Sequence, residues 1–175
     1  MSIIDIFLKR WLRSGRYRWS RLHRRLFERK YLKFTLPAVS SLEEIEVALN
    51  QITWTPDGLS YLFDCVSYPQ VTWYKKRDDC DGFSTLAAAL LNQWNPDCHP
   101  VLVTAMLRPF GSSHTICVFT SPSNKLCFFD NSTLLCDNYP SYESIIKKIS
   151  NNAIRLVCWD IINPITLEII EFNTG

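Results

Sequence analysis

The chain has 175 residues, of which 47% are hydrophobic and 21% charged, and its net charge is +2. This length allows one compact domain with a core of fair size, and the composition excludes low-complexity sequence and internal repeats. The charge is divided unevenly. Residues 1–33 hold 11 Lys or Arg and two acidic residues, which gives a net charge of +9. Residues 34–175 hold eight Lys or Arg and 15 acidic residues, which gives a net charge of −7. We therefore expect a basic helical arm over residues 1–36 and a second domain over residues 37–175.

The first segment, residues 2–32, has the spacing of one amphipathic helix with a potential break at Gly15. Its apolar stripe comprises Ile4, Phe7, Leu8, Trp11, Leu12, Trp19, Leu22 and Leu26, and its basic face comprises Lys9, Arg10, Arg13, Arg16, Arg21, Arg24 and Arg25. Two interpretations stay open. Either the stripe packs on the rest of the chain, with the arginines solvated or paired, or residues 1–33 bind an anionic partner. That partner would be a membrane surface, a nucleic acid or an acidic protein.

The next segment contains two predicted helices. Ser41 followed by Glu44 is a capping-box signature and predicts a helix over about residues 42–51. Residues 55–58 are typical of a turn, and residues 59–76 are aromatic-rich and irregular. Residues 83–94, which are rich in Leu and Ala, predict a buried helix.

After Pro100 the pattern changes to strands. Alternating and β-branched segments predict strands over residues 101–107, 115–120, 125–129, 154–159 and 166–172, with a short helix over residues 141–150. Helices followed by a meandering antiparallel sheet indicate an α+β fold.

The seven cysteines lie at positions 65, 80, 98, 117, 127, 136 and 158 and include no CxxC pair. Cys117, Cys127 and Cys158 lie in apolar, strand-like segments, where a reduced Cys behaves as a small hydrophobic residue. We expect reduced thiols rather than a disulfide framework. The N-terminal segment lacks the order of a secretory signal, and no apolar run approaches the roughly 18 residues of a membrane-spanning helix. Together these features predict a cytoplasmic protein, with peripheral membrane association as an option.

One cysteine stands where a reactive thiolate is favoured. Cys80 follows a polar turn and precedes an apolar helix, and Asp79 is a plausible N-cap. The first helical turn stabilises a thiolate through its backbone N–H groups and the positive end of the helix dipole. Asp78, Asp79 and Asp81 repel that thiolate, so an activating imidazolium matters more here than usual.

His114 and Asp130 supply the remaining candidates. His114 opens the alternating segment 113–119, which overlaps the predicted strand over residues 115–120, and Ser121-Pro122-Ser123-Asn124 predicts a turn. If the loop comprises residues 121–123, His114 faces Asp130 on the next strand, with Cβ atoms about 5 Å apart. A loop one residue shorter would remove this alignment. Asp130 would then accept from one imidazole nitrogen and leave the other for Cys80.

An Asp-Cys pair at the start of an apolar helix, a His opening a strand and an Asp ending the next strand resemble the transglutaminase-like superfamily. The resemblance covers roughly residues 45–135 and rests on Asp79-Cys80 with Phe83 and Leu86, His114 with Ile116 and Val118, and Phe129-Asp130. It implies the core of papain-like thiol proteases, with the Cys helix packed on an antiparallel sheet. It also implies roles: Cys80 as nucleophile, His114 as general base and Asp130 as orienting acid. The family often has Gly where this chain has Asp78.

The resemblance implies an enzyme that transfers acyl groups through a thiol and acts on a protein or peptide. Hydrolysis would make it a peptidase or amidase, and amine attack a transglutaminase-like acyltransferase. Trp54, Gln70 and Trp73 are candidate oxyanion donors, among which no motif chooses. No cofactor or metal is expected. The alternative is an inactive copy of the fold that acts as a binding or scaffolding protein through its basic helix.

Two other sites were weighed against the triad. Cys80, Cys98, His99 and His114 are potential zinc ligands, but their spacing fits no standard zinc site. Arylamine N-acetyltransferases use Cys, His and Asp in the same order, but the Arg-Gly-Gly approach to their Cys is missing here.

Overall fold

The computed structural model describes residues 2–56, 65–151, 153 and 155–175. The helices are Ile3–Arg10 (α1), Arg16–His23 (α2), Leu42–Leu49 (α3), Pro69–Lys75 (α4), Cys80–Trp94 (α5) and Tyr142–Ile149 (α6). The strands are Thr53–Trp54 (β1), Arg77–Asp78 (β2), Val101–Arg108 (β3), His114–Thr120 (β4), Leu126–Asp130 (β5), Thr133–Tyr139 (β6), Arg155–Ile162 (β7) and Ile169–Thr174 (β8). The protein is therefore α+β, as the sequence predicts.

Six strands form one antiparallel sheet in the order β6-β5-β4-β3-β7-β8, and β1 pairs with β2 in a separate short parallel pair. β3 lies at the centre of the large sheet, between β4 and β7. Most strands that follow one another in the chain are also neighbours in the sheet, because short connections favour antiparallel pairing.

The two faces of the sheet bury separate hydrophobic clusters, because successive side chains of a strand point to opposite faces. Leu86 and Leu90 of α5 belong to the first cluster, which also contains Leu102, Cys117, Phe119 and Phe129 from the strands. Ile145 and Ile146 of α6 belong to the second, which also contains Val103, Ile116, Val118 and Phe128. The sheet is thus covered by α5 on one face and by α6 on the other.

The helix expected over residues 83–94 begins three residues earlier, at Cys80. Asp79 takes the N-cap position, and its carboxylate accepts a hydrogen bond from the backbone N–H of Asp81. The helix ends at Trp94, immediately before Asn95-Pro96, where the residue preceding a proline leaves the helical region. Cys80 consequently lies in the first turn.

The sequence-based prediction lacks α4, β6 and the two short strands β1 and β2. The segment expected to be irregular contains α4, with Pro69 in its first turn, a position that proline favours. β6 is an edge strand, and its polar Asp137 and Asn138 have low β-propensity. Residues 57–64, which include half of the expected turn, and Ile154, the expected first residue of a strand, lie outside the described residues.

The N-terminal helix is continuous from Ile3 to Tyr31, because π turns at Trp11–Gly15 and Arg24–Glu28 and a final 3₁₀ turn extend α1 and α2. Six of its buried side chains recur every fourth residue, at Leu8, Leu12, Arg16, Ser20, Arg24 and Glu28, and Asp5 and Tyr17 are also buried. An α-helix has 3.6 residues per turn and a π turn has more, so alternating the two keeps a four-residue repeat on one side.

This four-residue repeat corrects the predicted faces of the helix. Arg16 and Arg24, assigned to the basic face, are buried, whereas Ile4, Phe7, Leu22 and Leu26 of the predicted apolar stripe are exposed. The prediction assumed the α-helical period throughout, and the π turns shift it. None of the described helices combines the length and the apolar character that crossing a membrane requires.

The expectation that the cysteines are reduced is wrong for one pair. Cys127 of β5 and Cys136 of β6 form a disulfide bond, with their Cα atoms 4.4 Å apart. The sequence-based prediction lacked β6, so nothing in it placed Cys136 opposite Cys127. Cys117 and Cys158 are buried thiols in the sheet, as predicted.

Candidate active site

Cys80 is half-buried at the start of α5, directly after the Asp79 cap. This position exposes a thiol to the positive end of the helix dipole, which favours the thiolate. The Asp79 carboxylate accepts from the N–H of Asp81 at 3.0 Å, so that N–H group is already used.

Ser84 joins the start of α5 to the start of β4. Its hydroxyl oxygen lies 2.7 Å from the carbonyl oxygen of Cys80 and 3.1 Å from that of Thr115. A hydroxyl has one hydrogen to donate, so the two carbonyl groups share it. Because Thr115 directly follows His114, this contact holds the backbone of Cys80 beside the start of β4. By alternation along β4, the Thr115 side chain lies on the face covered by α5, with Cys117 and Phe119, and the His114 side chain lies on the face covered by α6, with Ile116 and Val118.

His114 and Asp130 are hydrogen bonded: Nε2 of His114 lies 2.7 Å from Oδ1 of Asp130. A carboxylate only accepts, so Nε2 carries the hydrogen. The neutral imidazole therefore keeps its lone pair on Nδ1. Both side chains are partly exposed, at 22% for His114 and 35% for Asp130, which leaves the pair open to a substrate.

The strand register behind this contact differs from the prediction by two residues. Thr120 pairs with Leu126 instead of Asn124, because the connection is longer and closes with the N–H of Ser121 donating to the carbonyl of Lys125. Continued along the strands, this register makes His114 and Asp130 diagonal neighbours on one face. Diagonal side chains about 7–8 Å apart at the backbone remain within reach when one is long or aromatic. A two-residue shift preserves the face, and so the side chains still meet.

The three aspartates around Cys80 each interact with other groups. Asp81 is buried and forms an ion pair with Arg16 of the N-terminal helix. Asp78 accepts from the hydroxyl of Thr72 at 2.6 Å and from the N–H of Asp79 at 3.1 Å. These contacts give the carboxylates structural roles, and the Arg16 cation offsets the charge of Asp81, which directly follows Cys80.

Gly82 explains how Asp78 fits at this position. A Cβ atom on residue 82 would overlap the carboxyl group of Asp78, which lies over the first turn of α5. The chain therefore combines an aspartate before the Asp79-Cys80 pair with a glycine after it.

A buried polar network continues from Arg16 into the sheet. The Arg16 guanidinium donates to the Thr104 hydroxyl at 3.1 Å, and the Thr104 and Thr115 hydroxyls are 3.1 Å apart. Tyr17 donates its hydroxyl hydrogen to Oδ2 of Asp160 at 2.7 Å. The network thus links the N-terminal helix to α5, β3, β4 and β7.

Burial controls the ionisation of this network. It raises the pKa of Asp160 to about 7, against the opposing effects of the Tyr17 hydrogen bond and the Arg16 charge. Burial, followed by the charge of Asp160, also raises the pKa of Tyr17 well above its ordinary value. Tyr17 and Asp160 are not among the functional residues predicted from the sequence. A single Asp within the apolar segment Val157–Ile162 is the signal that identifies Asp160, since a buried carboxyl requires a partner.

The three oxyanion candidates lie in different surroundings. Trp54 of β1 is exposed and pairs with Asp78 of β2. Asp78 lies two residues before Cys80 in the chain. Gln70 lines a cavity together with Thr85 and Ala89, which lie further along α5 than Cys80. Trp73 is partly buried against the first hydrophobic cluster. Of the three, Trp54 has the closest link to the strand that leads into Cys80.

The buried cysteines differ from Cys80 in their surroundings. Burial raises the pKa of Cys98 to about 11 and that of Cys158 to about 12, and raises the pKa of Cys117 well above its ordinary value. Thiols with such high pKa values are poor nucleophiles at neutral pH. With Cys127 and Cys136 bonded to each other, Cys65 and Cys80 are the half-buried thiols.

The zinc alternative does not fit the arrangement of its proposed ligands. Cys80 is the first residue of α5, whereas the Cys98 sulfur lies 3.7 Å from the carbonyl oxygen of Leu91 near the other end of the helix, roughly 16 Å away at 1.5 Å per residue. Within the described ranges, no three His, Cys, Asp or Glu side chains form a group that could hold a metal ion.

A cavity of about 570 Å³ lies against the segment that precedes Cys80 in the chain, and Cys65 also lines it. Trp19, His23 and Glu28 of the N-terminal helix line it from one side, and Arg77 and Asp78 from the other. The cavity is large enough to hold several residues of a peptide or a small ligand.

Comparisons with known proteins identify no family for this chain: no protein-family model matches it, and neither does any curated protein. The case for its function therefore depends on the geometry of the site.

Proposed function

We propose that this protein is a thiol-dependent acyl-transfer enzyme with Cys80 as nucleophile, His114 as general base and Asp130 as the orienting acid. The observation that carries the proposal is the hydrogen bond between His114 and Asp130, at the end of the sheet where the Cys80 helix begins. This combination of a helix-start Cys, a strand-start His and a strand-end Asp supports a papain- or transglutaminase-like core.

The reaction follows from the roles of these groups. Nδ1 of His114 takes the proton of Cys80, and the thiolate attacks an amide or ester carbonyl carbon. As the tetrahedral intermediate collapses, the imidazolium returns the proton to the leaving amine or alcohol, and a thioester remains on Cys80. His114 then removes a proton from water or from an amine, which attacks the thioester and releases the acid or the new amide. Asp130 holds the imidazole in the required tautomer and stabilises its charged form.

Site-resolved alkylation with limiting iodoacetamide tests the proposal without a known substrate. We expect Cys80 to react at least about tenfold faster than Cys65 at mildly acidic pH, because an imidazolium stabilises its thiolate. His114→Ala should abolish that difference, and Cys80→Ala should lose any turnover found with peptide, ester or amine substrates.

Cys65 is the matched control, since it is the other half-buried thiol. Cys98, Cys117 and Cys158 should stay unmodified in the native protein because burial raises their pKa values. Equal reactivity of Cys65 and Cys80, unchanged in His114→Ala, would contradict the proposal. The predicted alternative, an inactive fold that serves as a binding protein, would then account better for the chain.

A further inference from the structure

The exposed side of the N-terminal helix carries many large apolar side chains. Ile3 is 85% exposed, Leu26 61% and Phe27 58%, and each is a residue that normally lies in a core. The remaining exposed members are Ile4, Ile6, Phe7, Trp19 and Leu22, and Leu32 is exposed directly after the helix. Apolar residues concentrated on one helix of a folded domain mark an interaction surface.

The orientation of this helix is fixed by polar contacts on its buried side. Arg24 donates to the carbonyl groups of Val66 and Ser67 at 2.8 and 2.7 Å. Glu28 accepts from the hydroxyl of Ser67 at 2.8 Å and from the N–H of Tyr68 at 2.9 Å. A rotation that buried the apolar side chains would break these bonds and leave buried charges without partners. The helix is therefore held with its apolar residues outward.

The charged residues on the exposed side all have the same sign. The two acidic residues of segment 2–33, Asp5 and Glu28, are buried. The exposed charged side chains are Arg10, Arg13, Arg18, Arg21, Arg25, Arg29, Lys30 and Lys33. A surface that combines Ile, Leu, Phe and Trp with Lys and Arg complements a bilayer, where apolar side chains enter the acyl boundary and cations meet lipid phosphates.

We propose that the exposed side of the helix Ile3–Tyr31 docks in the plane of an anionic lipid bilayer. The cations alone would equally suit a nucleic acid, but nucleic acid binding gives no role to exposed aliphatic side chains. The aliphatic side chains alone would suit another protein, but a uniformly cationic surface favours the negative lipid surface. The proposal is independent of the chemistry at Cys80.

Sedimentation of the full-length protein with vesicles tests this docking. The vesicles contain phosphatidylcholine alone or phosphatidylcholine with phosphatidylserine. Binding should be at least about tenfold stronger with phosphatidylserine, and it should fall as salt is raised. The triple variant Leu22→Gln, Leu26→Gln, Phe27→Gln should lose most binding, since its apolar insertion is removed.

The matched control replaces three exposed apolar residues elsewhere, as Val47→Gln, Ile165→Gln, Ile170→Gln, and should bind as the wild type does. All six positions are exposed, so neither variant should unfold the protein. Failure to bind phosphatidylserine vesicles would overturn the proposal, as would equal loss in both triple variants. Binding to duplex RNA that is stronger than vesicle binding and unaffected by the Leu22, Leu26 and Phe27 changes would assign the surface to nucleic acid instead.

Discussion

At the scale of single residues, the main question is how a thiolate would be sustained among three aspartates. Asp81 has the Arg16 cation, and Asp79 is committed to capping α5. Asp78 is held by Thr72 and by the N–H of Asp79. The carboxylates therefore shape the turn and fix the first turn of α5. In the proposed mechanism, activation of Cys80 depends on His114, whose Nδ1 remains an acceptor when Nε2 donates to Asp130.

Gly82→Ala should destabilise the protein, because the new Cβ would overlap the Asp78 carboxyl group. Asp78 cannot move away without losing its bonds to Thr72 and Asp79. We expect a loss of about 1–3 kcal/mol in the free energy of unfolding, measured by urea denaturation. The gain in helix propensity from Ala, about 1 kcal/mol, opposes this loss.

Gly111→Ala is the matched control, since an added Cβ there meets no described atom within 4 Å. Its free energy of unfolding should change by no more than about 0.5 kcal/mol. If both glycine variants were equally stable, the tight fit between Asp78 and Gly82 would not be a structural constraint.

At the scale of elements, the sequence predicted those parts that local patterns determine. The capping signature at Ser41 predicted α3, and the apolar run over residues 83–94 predicted most of α5. The strands β3, β4 and β5 were expected close to their observed bounds. In each case the hydrophobic period and the flanking turn residues predict the same element, and tertiary packing does not override this local preference.

Other features depend on contacts that local patterns do not encode. The loop between β4 and β5 is two residues longer than predicted, with Asn124 in the left-handed region at φ 60°. The π turns of the N-terminal helix place Arg16 and Arg24 on its buried side. There Arg16 donates to Thr104 and Arg24 donates to the carbonyl group of Val66, and both partners are distant in the sequence. The disulfide of Cys127 depends on a polar edge strand that the sequence did not reveal. The side chains of His114 and Asp130 still meet, because a register shift of two residues keeps them on one face.

Arg16→Met should destabilise the protein strongly, because it leaves the buried Asp81 carboxylate without its cation. Removing one member of a buried ion pair typically costs about 3–5 kcal/mol. The double variant Arg16→Met, Asp81→Asn should recover part of this loss, since a neutral amide has a smaller cost of burial. Urea denaturation of the single and double variants measures the coupling between the two residues.

Arg18→Met serves as the control for Arg16→Met, since Arg18 lies on the exposed side of the same helix. It should change the free energy of unfolding by about 0.5 kcal/mol or less. A loss in the double variant equal to the sum of both single losses would mean that Arg16 and Asp81 do not stabilise each other.

At the scale of the whole molecule, buried polar contacts attach the basic helix to the acidic remainder at three places. Asp5 is paired with Arg108 and Arg155, Arg16 with Asp81, and Glu28 accepts from Ser67 and Tyr68. The hydrogen bond from Arg155, with smaller contributions from Ser2 and Arg108, lowers the pKa of Asp5 to about 2. Its contribution to stability is present above the ordinary pKa of 3.8 and is lost as the pH falls towards 2.

Asp160 acts in the opposite direction, because burial raises its pKa from 3.8 to about 7. The folded protein holds this proton more tightly than the unfolded chain does. The resulting stabilisation is complete below about pH 4 and is lost as the pH rises through about 7. Asp160→Asn stays neutral throughout, and its amide oxygen can still accept from Tyr17. We therefore expect the variant to gain stability relative to the wild type as the pH rises across this window, by up to about 4 kcal/mol.

Urea denaturation on both sides of the window measures the difference, and the exposed Asp97→Asn should leave the wild-type profile unchanged. A wild-type stability that followed the same profile as Asp160→Asn would show that the Asp160 proton does not contribute, and that Tyr17 and Arg16 hold a carboxylate at every pH in the window.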